Sequence, residues 1–141
     1  MRFLDANVFV YAYYRPRRQL TEKERKMKDE AKKIITAVSQ GEEEVVMTVV
    51  HLSEVVNILK HGMQIEELTH VILGLFMLDN MEIQGVSREA YFAATELGGD
   101  LKLDSNDALA VDFMRANGIG EIYSFDEDFD GIERISRLPK L

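Results

Sequence analysis

The stretch SFDEDFDGIERI, Ser124 to Ile135, crowds Asp126, Glu127, Asp128 and Asp130 into five positions. Carboxylates at that density turn a solvated loop, hold a calcium ion, or form one wall of a site for a smaller divalent cation. Spacing disposes of calcium. Asp126-x-Asp128-x-Asp130-Gly131 fits the first half of an EF-hand loop, but position twelve, which should be a bidentate Glu, is Arg137. The run before it, Glu121–Phe125, is β-branched and aromatic like a strand, whereas an EF-hand loop is entered from a helix.

Three further acids stand where burial is expected. Asp5 interrupts FLDANVFV, a stretch otherwise fit for a core, and a charge there is costly unless it is paired or bound to a metal. Asp107 falls between Val111 and Met114 on the apolar side of its helix, and Glu54 at the margin of an apolar arc, one turn before Ile58. Asp126 follows the Glu121–Phe125 run directly. Each has a plainer alternative: helix-dipole partner for Asp107, solvated marginal acid for Glu54. Asp104 is best explained as a helix N-cap. Asp128 and Asp130 are expected to be loop acids, with Asp128 a candidate to support the site. Asn7, two residues from Asp5, either orients a carboxylate or shapes a strand end.

The elements that must position these residues alternate in type. Hydrophobic pattern and breakers predict strands at Arg2–Tyr11, Glu44–Val49, Met81–Val86 and Glu121–Phe125, with a short one near Arg134–Arg137. Helices are expected over Thr21–Gln40, His51–His61, Gln64–Leu78, Ser87–Leu97 and Asp104–Asn117. Alternating strands and helices imply an α/β fold, a three-layer α/β/α sandwich around a mostly parallel sheet. In such sheets, sites form beyond the carboxyl ends of the strands, where Asp126 is expected to lie.

Composition narrows the chemistry. A chain of 141 residues, 46% hydrophobic, is expected to form a single domain, residues 1–141. It has no Cys, which excludes disulfides, a thiolate nucleophile and Cys-zinc sites, and its three His make a His-rich metal site a poor candidate. The N-terminal stretch does not read as a signal peptide and no apolar run approaches a membrane span, so no membrane association and a cytoplasmic location are expected. The net charge of −8 argues against general nucleic-acid affinity. It conceals a basic segment, residues 15–33, which holds nine of the seventeen basic side chains and follows Tyr11, Tyr13 and Tyr14.

Taken together and in order, LDANVFVYA, HLSEVVNIL, DSNDALAVDF and SFDEDF resemble the motifs of the PIN-domain nucleases, above all the small VapC-type toxins, over essentially the whole chain. The resemblance implies that Asp5, Glu54, Asp107 and Asp126 are the metal-site and catalytic acids, and that Ser124 is the recurrent Ser or Thr two residues before the last acid. Asp104 lies outside the family's central positions but close enough to assist. The long basic segment departs from a minimal toxin.

Four clustered carboxylates need protons or cations, and all-oxygen ligands select Mg²⁺ or Mn²⁺. With no Cys and no suitable His, water activated by the ion is the expected nucleophile, with Asn7, Asp104, Ser124 and Asp128 in support. The resemblance further implies an RNA substrate cut endonucleolytically, a homodimer, and a VapB-like antitoxin as partner. Arg15, Arg17 and Arg18 are candidates for RNA phosphate contacts, against the alternative of a solvated amphipathic helix. Two other readings stand beside the nuclease: a non-catalytic PIN-like binding module, and a haloacid-dehalogenase-like phosphatase. The latter requires an acid at position 7, where this chain has Asn7.

Overall fold

The computed structural model describes all residues, Met1–Leu141. In chain order the elements are β1 (Arg2–Leu4), α1 (Ala6–Tyr13), α2 (Glu22–Ser39), β2 (Val45–Thr48), α3 (Val49–Leu59), α4 (Ile65–Phe76), β3 (Met81–Gln84), α5 (Arg88–Leu101), α6 (Ser105–Ala116), β4 (Glu121–Tyr123) and β5 (Ser136–Leu138). A 3-10 turn spans Glu127–Gly131. The five strands form one parallel sheet in the order β3-β2-β1-β4-β5, the expected α/β architecture.

Alternation along the short strands divides the core into two layers. Leu4, Val45, Met47 and Tyr123 face one cluster with residues of α1 to α4, while Phe3, Val46 and Ile122 face a second with α6 and the 3-10 turn. Because successive strand side chains point to opposite faces, three or four residues per strand suffice to anchor both layers. No helix is long and apolar enough to cross a membrane.

The structure corrects the first element. The expected strand Arg2–Tyr11 stops at Leu4, and the rest of the apolar run is α1, with Ala6, Val8 and Phe9 buried. A continuous apolar run does not distinguish a buried strand from a buried helix, and Asp5 decides the matter as N-cap of α1. Asn7 therefore lies in the first turn of a helix, not on a strand face.

At the second correction, α5 runs on to Leu101 through Gly98 and Gly99. Gly98 is required by packing: a Cβ there would stand 2.6 Å from the Leu103 carbonyl oxygen and 3.3 Å from the Ala108 Cβ, so its absence lets α5 and α6 approach closely. Smaller shifts place the last strand at Ser136–Leu138 and start α3 at Val49, capped by Thr48.

Candidate active site

Asp5 and Asp126 follow strand ends and Asp107 lies in the first turn of α6, whereas Glu54 lies in the middle of α3. Asp5 directly follows β1, is only 5% exposed, and has both oxygens engaged. Its Oδ1 accepts from the Ala6 N–H at 2.8 Å and its Oδ2 from the Ser124 hydroxyl at 2.7 Å. Burial raises its pKa to about 6, with Glu54 and Asp126 adding to the rise and the Ser124 hydrogen bond opposing it.

Ser124, fully buried, joins the ends of β1 and β4. Its Oγ also accepts from Asn7 Nδ2 at 3.3 Å and from the Asp126 N–H at 3.0 Å, while Asn7 Oδ1 accepts from the Phe125 N–H at 3.2 Å. Asn7 and Ser124 thus lock the Asp5 segment to the Asp126 segment, from a helix in the case of Asn7.

Asp126 caps the 3-10 turn through an acceptance from the Asp128 N–H at 2.9 Å. That tight turn brings Asp128 back beside Asp126. Carboxylate oxygens of Asp107, Asp126 and Asp128 lie within 4.8 Å of one another, a spacing that one cation could bridge. Asp128 therefore belongs to the tightest acidic set, whereas Asp5 and Glu54 lie outside that set but close enough to act on it electrostatically.

Asp107, half-buried in the first turn of α6, feels four of the neighbouring acids. Its pKa is raised to about 8, first by burial and then by Asp104, Asp5, Asp126 and Glu54. Asp104 is an N-cap as expected, accepting from the Asp107 N–H at 2.8 Å. It also repels Asp107 and Glu54. Burial raises the Glu54 pKa as well, opposed by a hydrogen bond from Asn106 Nδ2 to Glu54 Oε1 at 2.6 Å.

Asn106, His51 and Tyr91 are supports that the sequence reading missed. The Asn106 side-chain oxygen accepts from the Tyr91 hydroxyl at 2.5 Å, and its backbone carbonyl accepts from His51 Nε2 at 3.0 Å. His51 is fully buried, and burial lowers its pKa to about 4, so it is neutral with Nε2 protonated and Nδ1 accepting from Thr48 Oγ1 at 2.7 Å. The one available signal was a histidine inside an apolar helical arc. Nothing in the order of residues reveals that it supports Asn106, 55 positions away.

The remaining acids of the opening stretch have other tasks. Arg137 donates through Nε and Nη2 to the two oxygens of Asp130 at 2.7 and 3.0 Å, and through Nη1 to the Ser124 carbonyl at 3.4 Å. The cation that ruled out an EF-hand thus ties the 3-10 turn to β5 and removes Asp130 from the cluster.

The basic segment is partly structural. Arg18 forms a two-point pair with Glu24 at 2.8 and 2.6 Å, and Glu24 completes a capping box with Thr21 at the start of α2. Lys28 donates to the carbonyls of Tyr11, Ala12 and Tyr14, closing the end of α1. Arg15 and Arg17 are exposed.

The PIN domain family model matches residues 2–135. The chain belongs to the PIN domain family. The haloacid-dehalogenase alternative falls with that assignment. Among solved structures, this PIN domain is similar to the sarcin-ricin-loop-cleaving toxin VapC20 of Mycobacterium tuberculosis, at 16% identity and a TM-score of 0.71, covering 96% of this chain and 98% of the other. A chain of VapBC2 from Rickettsia felis, solved with a DNA fragment from their promoter, matches at 18% identity and a TM-score of 0.60, covering 96% of each. Both are likenesses of fold. No curated protein matches.

Proposed function

We propose that this PIN domain is a Mg²⁺- or Mn²⁺-dependent endoribonuclease, acting as the toxin of a VapBC-type pair. The observation that carries the reading is the approach of the Asp107, Asp126 and Asp128 carboxylates within 4.8 Å, with Asp5 and Glu54 at their margin. Charges so placed favour either proton uptake or a cation, and a purely carboxylate donor set fits a hard divalent ion.

Asp107, Asp126 and Asp128 would hold that ion, with Asp5 and Glu54 completing the site directly or through water. When bound, it supplies Lewis acidity, which makes water a nucleophile at neutral pH and offsets charge on the phosphodiester oxygens. Asp107 must release its proton for the site to load. Ser124 and Asn7 keep Asp5 aimed, Asn106 keeps Glu54 aimed, and the Arg137–Asp130 pair keeps the Asp126–Asp128 turn in place.

The partner and assembly readings have narrower support. The fold shared with a chain of VapBC2 supports a VapB-like antitoxin, and Ile65, Leu73, Phe76 and Met77, all exposed on or just after α4, support burial against another chain, as in a homodimer.

The test is incubation of the purified protein with long mixed-sequence RNA. Mg²⁺ or Mn²⁺ should support cleavage, and EDTA or Asp126→Asn should abolish it. Undiminished cleavage in excess EDTA would sink the mechanism, and no cleavage of any RNA with either ion would leave the non-catalytic binding module.

A further inference from the structure

Beside the acids, a groove of about 460 Å³ runs between α3 and the start of α5 and reaches Glu54 and Asn106. Its size is in the range of small-ligand sites, about 300–1,000 Å³. We propose that it is a nucleotide subsite, which takes the base and flanking phosphate of the RNA residue next to the cleaved bond. The proposal rests on the nuclease reading and deepens it.

The groove's chemistry matches the parts of a nucleotide. Val49, 41% exposed, and Val86 offer apolar surface for the face of a base. Ser53 and Asn57, one turn apart on α3 and both exposed, offer donors and acceptors for a base edge. Arg88 supplies the cation. Its side chain is 91% exposed and meets Glu89 at 3.6 Å, a solvated contact too weak to hold it away from a phosphate. On a chain of net charge −8, a cation beside the acidic cluster is what lets a polyanion approach it.

A chain of hydrogen bonds connects this groove to the acids. Tyr91, which lines the groove, donates to Asn106 at 2.5 Å, and Asn106 donates to Glu54 at 2.6 Å. An occupant resting on Tyr91 therefore bears on the orientation of Glu54. The cleft at the amino edge of the sheet has cations too, Arg115 and Arg134, but none of the site's acids. The α3–α5 groove combines a cation with direct continuity to them.

The test measures binding of fluorescein-labelled A, C and U hexaribonucleotides with Ca²⁺ replacing Mg²⁺, together with Mg²⁺-dependent cleavage of long RNA. Arg88→Ala should weaken all three hexamers about tenfold and reduce the salt slope by about one. Asn57→Ala should compress the affinity differences among hexamers, because it removes a contact to a base edge and leaves phosphate contacts intact. Both should raise KM with kcat nearly unchanged, and keep the parent's metal-induced rise in Tm. Tyr91→Phe, which keeps the ring and loses the hydroxyl, should lower kcat more than it raises KM.

If the parent cleaves RNA while Arg88→Ala and Asn57→Ala bind and cleave as it does, the subsite is overturned and the nuclease reading survives. RNA would then lie elsewhere, such as along Arg15 and Arg17, and a protein partner would become the candidate for the groove. If the parent cleaves no RNA with any divalent ion, both readings fail together.

Discussion

The raised pKa of Asp107 makes the metal-free protein sensitive to pH in a window where few other side chains titrate, and Asp107→Asn removes that sensitivity. The folded-state value is about 8, above the ordinary 3.8, so near neutrality the folded protein holds a proton that the unfolded chain has lost. Stability is therefore greatest below the unfolded value and is lost as pH rises through the folded one. Integrated from about pH 6.5 to about pH 8, a group with these two values loses about 1.6 kcal/mol. Asp107 is only half-buried, and solvent screening reduces the expected loss to about 1 kcal/mol. Asp5 has largely titrated by this range, and His51, whose value is lowered to about 4, gives a contribution of opposite sign that is nearly complete by about pH 6.5. The assay is urea unfolding with EDTA at several pH values, for parent and Asp107→Asn. The parent should lose about 1 kcal/mol relative to the variant across the window, and saturating Mg²⁺ should abolish the difference in slope. Parallel pH profiles in EDTA would refute the claim that burial and the neighbouring acids hold a proton on Asp107.

Asp104 combines a cap with a repulsive charge, and two variants separate them. Asp104→Ala should cost about 0.5–2 kcal/mol through the lost cap, while Asp104→Asn keeps an acceptor and should raise metal-free stability near pH 8, both read by thermal melts. Arg137→Met should cost about 1–2 kcal/mol and shrink the metal-induced rise in Tm, because it frees the turn that carries Asp126 and Asp128. A full metal-induced rise in that variant would deny the pair its positioning role. Gly98→Ala should destabilise by about 1–3 kcal/mol in denaturant unfolding, since its Cβ would stand 2.6 Å from a backbone carbonyl with no flexible side chain to yield.

What was legible in the sequence was legible for local reasons. Asp104 and Asp107 open a helix whose apolar face is easily traced, and Asp126 follows a strand marked by its β-branched and aromatic residues. The parallel sheet followed from alternation of element types. Misreadings arose where local pattern is degenerate or the decisive contact is distant. ANVFVYAY satisfies both a buried strand and a buried helix, and the Asp5 cap together with packing against α2 and α3 makes it helical. Asp128 was ranked below Asp126 because the 3-10 turn that folds it back leaves no hydrophobic period. Asn106 resembles any polar residue in a first helical turn until the fold brings Glu54, 52 positions away, against its amide.

The strand order has a kinetic consequence. β1 lies at the centre of the sheet, paired with β2 on one side and with β4 on the other, and the Ser124–Asp5 hydrogen bond spans 119 positions. Pairings of such long range close slowly, because a large loop must be ordered before any contact compensates. The two halves of the acidic cluster thus meet late in folding, after α1, α2 and β2 can already have packed on β1. A nascent chain that has not yet released β4 has a hydrophobic core in preparation but lacks Ser124, Asp126 and Asp128. On this topology, competence to hold a cation is acquired only once the segment from β4 to the 3-10 turn has joined β1, rather than gradually along the chain.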